Sequence, residues 1–222
     1  MELPELIARL SSSAPYSHPA DAIEVHQTHI SAVFLAGPFA YKVKKPVNLG
    51  FVDFSTLDKR KHFCDEEVRL NRRLAPQVYL DVLPIAYVDG EVHVGGAGPV
   101  IDWAVRMKRL PAEASVESRL TRGEVMPELM RALAGRIAAF HARAEAGERI
   151  ASFGRFDVVA GNTRENFRQT ESMVDVTVSR KVFERVRGLS EDHLNRHRAR
   201  IEQRAVQGVP RDTHGDLHLD HV

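Results

Sequence analysis

The 222 residues carry 31 lysines and arginines against 30 aspartates and glutamates, a formal charge of +1, without the basic excess of a dedicated nucleic-acid binder. With 43% hydrophobic residues the chain is able to bury a real core, as one domain of two lobes or as two small domains. Its one cysteine, Cys64, excludes an internal disulfide and a cysteine cluster for zinc. Neither a basic-then-apolar leader nor an apolar run of about 18 residues occurs, so the expected location is cytoplasmic, with no membrane contact.

Leu3, Leu6, Ile7 and Leu10 recur at helical spacing until Ser11-Ser12-Ser13, Pro15 and Pro19 interrupt it, which predicts a short opening helix. Branched and aromatic residues then dominate Ile23-Glu24-Val25, residues 30–35 and residues 39–43, with Gly37-Pro38 before the last of these, and predict antiparallel strands. Alternation along the last strand puts Ala40, Lys42 and Lys44 on one face and Tyr41 and Val43 on the other, so one lysine is expected to point inward. Ser55-Thr56-Leu57-Asp58 reads as a capped helix start. The helix should run about five turns to Ala75-Pro76, carrying Phe63, Leu70 and Leu74, with Glu66 and Glu67 both bordering its apolar face. Residues 78–83, 85–88 and 91–94 read as strands, the last two joined across Asp89-Gly90. A further strand over residues 100–107 runs into Lys108-Arg109-Leu110-Pro111.

Strand signals fade beyond Pro111. Thr121-Arg122-Gly123-Glu124 looks like a capping box ahead of Leu129, Leu133, Ile137 and Phe140, an apolar stripe that continues to about Ala144. Polar helices are expected over residues 162–173, 176–186 and 190–206, separated by Gly188 and stopped by Gly208 and Pro210. Composition therefore divides the chain near Leu110-Pro111 into a sheet-plus-helix half, residues 1–110, and a helical half, residues 111–222, an α+β arrangement.

The last nine residues, from His214 to Val222, hold three histidines and two aspartates. Such side chains are costly to bury without partners, so their density reads as a site. The spacing Asp216-x-His218-x-Asp220-His221 resembles the zinc- or manganese-binding clusters of dinuclear hydrolases.

A lysine on an early strand, a glutamate on the following helix, a strand entering a Leu-Pro hinge and a late His214-Gly215-Asp216 stand in the order of the parts of a kinase. The chain resembles the aminoglycoside phosphotransferase branch of the protein-kinase-like fold, whose catalytic loop reads H-G-D-x-x-x-x-N. It is similar in particular to the amino-terminal region of bacterial proteins that join such a domain to a P-loop ATPase domain. No G-x-x-x-x-G-K-S/T occurs here, so that C-terminal ATPase domain is expected outside this chain.

The resemblance implies a two-lobed fold: an antiparallel sheet plus one helix in residues 1–110, then a mainly helical, incomplete lobe ending in the catalytic loop. It implies ATP and Mg²⁺ as cofactors and transfer of the γ-phosphate to a hydroxyl of a small molecule. Lys42, with Lys44 as the alternative, would meet the α and β phosphates, and Glu67 or Glu66 would hold that lysine. Met107 would be the gatekeeper, with the backbones of Lys108 and Leu110 facing the adenine edge. Asp216 would orient the acceptor hydroxyl, and His214 would brace the loop. His221 stands where the family has an Mg²⁺-binding asparagine, offering nitrogen in place of the oxygen that this hard ion prefers. The chain also stops before the strand and metal-binding aspartate that follow such a loop in the family. Those two departures keep open a non-catalytic kinase-like module that binds nucleotide or regulates a partner, beside the metal-dependent hydrolase. Between the first strands no glycine-rich loop occurs, leaving Thr28 and the nearby backbone amides as the phosphate-facing candidates. Arg196, Arg198, Arg200 and Arg204 outnumber Glu191, Asp192 and Glu202 on the last helix, so a polycationic aminoglycoside does not follow from the family name. A small hydroxylated metabolite fits as well.

Overall fold

A computed structural model describes residues 1–50, 52–217 and 219, and these form an α+β protein. They divide into two compact units, Met1–Glu124 and Val125–Asp216, with Leu217 and Leu219 grouped with the first.

The first unit is built on a six-stranded antiparallel sheet. Its strands are β1 (Ile23–Gln27), β2 (Ser31–Ala36), β3 (Phe39–Lys44), β4 (Tyr79–Val88), β5 (Glu91–Val94) and β6 (Val100–Lys108), in the order β1-β2-β3-β6-β4-β5. Period-two alternation gives the sheet two apolar faces, and a helix covers part of each. On one face α1 (Leu3–Leu10) and the segment carrying Tyr16 and Ala20 seal Phe34, Ala36, Tyr41, Val43, Ile85 and Ala104. On the other, α2 (Leu57–Asn71) lays Cys64 and Val68 against Val105, Val82 and Trp103. Thr56 caps α2 by accepting the Lys59 N–H at 3.3 Å, as its position predicts. The helix stops at Asn71, a turn short of the predicted Ala75-Pro76 end, and irregular turns complete the run to β4.

Two predicted strands, residues 78–83 and 85–88, are a single strand. Pro84 sits inside β4 opposite Trp103, and the register slips between Tyr79 and Asp81, where Leu80 bulges out. The Arg72 guanidinium donates to the carbonyls of both Tyr79 and Leu80 and so satisfies the backbone that the bulge frees. The Asp89-Gly90 turn joins β4 to β5 with φ of 50° and 87°, the two left-handed residues of a tight hairpin.

A buried ion pair ties α2 to the sheet. Arg60 Nε donates to Asp102 Oδ1 at 2.8 Å and its second nitrogen to the Phe54 carbonyl at 3.0 Å, while the Trp103 N–H also donates to Asp102 Oδ1 at 2.8 Å. After β6 come a short 3₁₀ turn (Ala112–Ala114) and α3 (Val116–Thr121), which ends at Gly123 with φ of 69°. The predicted capping box at Thr121 is therefore a helix end, because the glycine takes up the left-handed conformation that closes a helix.

The second unit holds α4 (Pro127–Arg143), α5 (Glu148–Phe153), α6 (Phe156–Thr170) and α7 (Arg180–Val206). Phe156, Ala160 and Leu194 form its small core between α6 and α7, flanked by Val159 and Ile201. Glu202 accepts the Phe156 N–H at the start of α6, and Arg164 makes a two-pronged pair with Glu191 at 2.7 and 2.8 Å. The two helices expected over residues 176–186 and 190–206 merge into one 27-residue helix that begins only at Arg180, residues 176–179 being turn and cap. Gly188 lies inside it at a cost of about 1 kcal/mol, too little to end a helix that tertiary contacts hold.

Removing one member of the Arg60–Asp102 pair strands its partner in the interior. Asp102→Ala is expected to lower unfolding free energy by about 3 kcal/mol, read from urea denaturation. An effect below about 0.5 kcal/mol would mean that the pair does not tie α2 down.

Candidate functional site

The sheet face shared with α2 concentrates the chemistry. Direct cross-strand neighbours point to the same side of an antiparallel sheet, so the pairings Lys42↔Val33, Lys42↔Val105, Ala40↔Leu35 and Ala40↔Met107 place all these side chains on one face with Lys44. α2 packs over β6 and β4. Val33, Leu35 and Met107 remain only half-buried beside the fully covered Ala40, an apolar shelf next to the lysines.

At the rim of α2 one carboxylate takes both ammonium groups. Lys42 Nζ donates to Glu67 Oε1 at 2.8 Å and Lys44 Nζ to Glu67 Oε2 at 2.6 Å. Side-chain exposure grades the three: 30% for Lys42, 12% for Glu67 and 7% for Lys44. Lys44 also lies 5.0 Å from the centroid of the Phe54 ring. Burial pushes the Glu67 carboxyl up, but the two lysines outweigh it and hold the group below its ordinary range. Glu66, one position along, turns outward to Arg69. The sequence prefers Lys42 to Lys44 and, slightly, Glu67 to Glu66; in the structure Glu67 is the partner of both lysines.

The thiol and the phenol beside the cluster are neutral at neutral pH. Burial raises the Cys64 thiol to about 12, and burial followed by the field of Glu67 raises the Tyr79 hydroxyl to about 12.

At the end of β6 the Lys108 N–H donates to the Val78 carbonyl at 2.8 Å and the Arg109 N–H to the Pro38 carbonyl at 2.9 Å. Leu110 is 55% exposed, and among the described residues its N–H has no protein acceptor. The β1–β2 turn is closed on itself. Thr28 Oγ1 accepts the N–H groups of Ile30 and Ser31 at 3.3 and 3.1 Å, so those amides are taken up by the turn.

In the second unit, the segment leading to Asp216 is fastened at two points. Pro210 packs where a Cβ on Gly154 would come within 2.5 Å of it, and the Asp212 N–H donates to the Glu145 carbonyl at 2.9 Å. Gly215 has φ of 81°, a left-handed turn that suits glycine, and the exposed Asp216 donates its N–H to His214 Nδ1 at 3.3 Å. His214 therefore braces the turn that carries Asp216. His221 lies outside the described residues, as do His218 and Asp220. Among the described residues no three His, Cys, Asp or Glu side chains gather as a metal site, and no helix is long and apolar enough to cross a membrane.

The residues missed in sequence are Arg60 and Asp102. A charged pair at helix and strand positions gives no periodic signal, and only the pairing of α2 with β6 brings the two together.

Comparison with known proteins returns no matching family model and no matching solved structure. An uncharacterized protein of Mycobacterium bovis and two of Mycobacterium tuberculosis are each 32% identical to this chain over 200 residues, 90% of it. The chain spans 39% of the length of these relatives.

A carboxylate held below its ordinary value stabilises the fold above the unfolded value of 4.5, and that contribution is lost as pH falls through the depressed folded value. Glu67→Gln is expected to cost about 3 kcal/mol at pH 7. The difference from the parent should shrink below about pH 4, measured by urea unfolding across pH; a pH-independent difference would contradict the ion-pair account.

Proposed function

We propose that the protein is an ATP-dependent phosphotransferase of the aminoglycoside-phosphotransferase, protein-kinase-like type, acting on a hydroxyl of a small molecule. The observation that carries this reading is the half-open apolar shelf of Val33, Leu35, Ala40 and Met107 lying against a Lys42–Glu67–Lys44 cluster. A flat apolar surface beside fixed positive charge suits a ligand with an aromatic base at one end and phosphates at the other. ATP supplies the phosphoryl group when bound. Lys42, the more exposed lysine, offers a point charge to phosphate oxygens. The shelf orients the base, and the Leu110 N–H has room for an acceptor on the base edge. Asp216, on its His214-braced turn, is the group suited to take or orient the proton of the acceptor hydroxyl. Among the described residues no three His, Cys, Asp or Glu side chains gather as a metal site, so Mg²⁺ would be held chiefly by the nucleotide phosphates and would neutralise their charge.

The second reading, a nucleotide-binding module without transfer, rests on histidine at position 221 in place of the family's asparagine. Calorimetric titration with ATP, together with phosphate transfer from labelled ATP to hydroxylated small molecules, separates the two. The expected result is binding by the parent protein, a loss of at least about tenfold in affinity in Lys42→Met and no change in Glu66→Gln. Asp216→Asn should keep binding while transfer falls about a hundredfold or more. Binding without transfer in the parent establishes the second reading, and absence of ATP binding defeats both.

A further inference from the structure

The Arg60–Asp102 pair is only half closed. β6 has β3 as its neighbour from Ala104 to Lys108, so over residues 100–103 the sheet lies open on that side. Asp102 is paired with Ile85, which places its side chain on the face that α1 covers, whereas Arg60 comes from α2 on the other face. The two meet around the open side of β6. Asp102 Oδ1 takes both the Arg60 Nε–H and the Trp103 N–H, and Arg60 Nη1 donates to the Phe54 carbonyl. Asp102 Oδ2 and Arg60 Nη2 are left with no protein partner among the described residues. The two side chains are only 5% and 10% exposed, and no fully buried side-chain nitrogen or oxygen among the described residues lacks a partner, so both free atoms look into the space their residues border. That space is a pocket of about 170 Å³ between Leu3 and Leu6 of α1, Pro46, Ile101 and the ion pair.

We propose that this pocket binds a small neutral molecule whose head carries a donor and an acceptor side by side, of the primary-amide class. The pair has no net charge to balance an ion. A cationic head on Oδ2 would lie against the guanidinium, and an anionic head on Nη2 against the carboxylate. A carboxamide gives an N–H to Oδ2 and its carbonyl to Nη2, satisfying both atoms at once. Burial outweighs Arg60 and leaves the Asp102 carboxyl above its ordinary value, as suits an oxygen short of a donor. Leu3, Leu6 and Ile101 give a short tail aliphatic contact, and the volume limits the ligand to about six non-hydrogen atoms. Bridging Arg60 and Asp102, such a ligand adds a tie between α2 and β6. The site stands about two helix turns from Glu67 along α2, and it does not depend on what the lysine–glutamate cluster binds.

The test is an NMR titration of the full chain with propionamide, followed on the methyl signals of Leu3, Leu6 and Ile101 and on the Arg60 Nε–H. Saturable shifts with a Kd on the order of 1 mM are expected for a ligand of this size. N,N-dimethylpropionamide, which has no N–H, propionate and alanine should each bind at least about tenfold more weakly. Leu3→Trp fills the pocket without touching the ion pair, so the folded variant, verified by circular dichroism, should show no saturable shift. Absence of saturation in the parent up to about 50 mM propionamide means that the pocket holds only water and overturns the proposal. An equal response to the dimethyl analogue reduces the effect to apolar filling and overturns it too. So does tighter binding of propionate or alanine, which would make the site one for charged heads. Undiminished propionamide binding in folded Leu3→Trp places the ligand elsewhere, with the same consequence.

Discussion

One carboxylate sets the orientation of α2. The helix presents little apolar surface to the sheet, chiefly Cys64 and Val68, which is too narrow a strip to fix its rotation by burial alone. Rotation is fixed by charge. Arg60 and Glu67 lie two turns apart on the same side, and each is committed to an opposite charge on the sheet, Asp102 on β6 and the two lysines on β3. Turning the helix by one residue would bring Glu66 to the lysines, but it would also strip Asp102 of its partner. The shelf beside Lys42 is what remains uncovered once α2 is locked in that position.

The second unit works differently. Three of its four helices are long, and apolar contact is concentrated around Phe156, Ala160 and Leu194. Specific polar ties carry much of the remaining order: Glu202 at the start of α6, Arg164 with Glu191, and Arg198 over the Phe156 ring at 4.2 Å. The turn bearing Asp216 is held by backbone devices, a proline in the notch left by Gly154 and a left-handed Gly215. Such devices place a carboxylate without requiring a core beneath it.

The sheet was legible in sequence because alternation and the Asp-Gly turn are local signals. The join across Pro84 was not, since proline normally ends a strand and only the pairing of β4 with β6 carries it through. Helix α7 was split at Gly188 because a glycine's penalty is visible in sequence, whereas the contacts that outweigh it come from α6. At the site, the residue types could be read but not their partners. Glu66 and Glu67 differ by about 100° around a helix, and the stripe of Phe63, Leu70 and Leu74 did not discriminate between them, because the inward positions include an arginine. Lys42 ranks ahead of Lys44 in the sequence, but that the cluster uses both appears only when Glu67 is brought between them. The reading of Asp216 rests on its motif, to which the described structure adds the braced turn.

Cys64 is the chain's one thiol, and it lies fully buried on the sheet-facing side of α2, a helix turn from Glu67. In the closed state the thiol is sheltered and protonated, so an alkylating reagent reaches it only when the helix lifts from β6. Its labelling rate is thus a native clock for the opening of this face, with no added probe. Any ligand that tightens the lysine–carboxylate cluster will slow that clock.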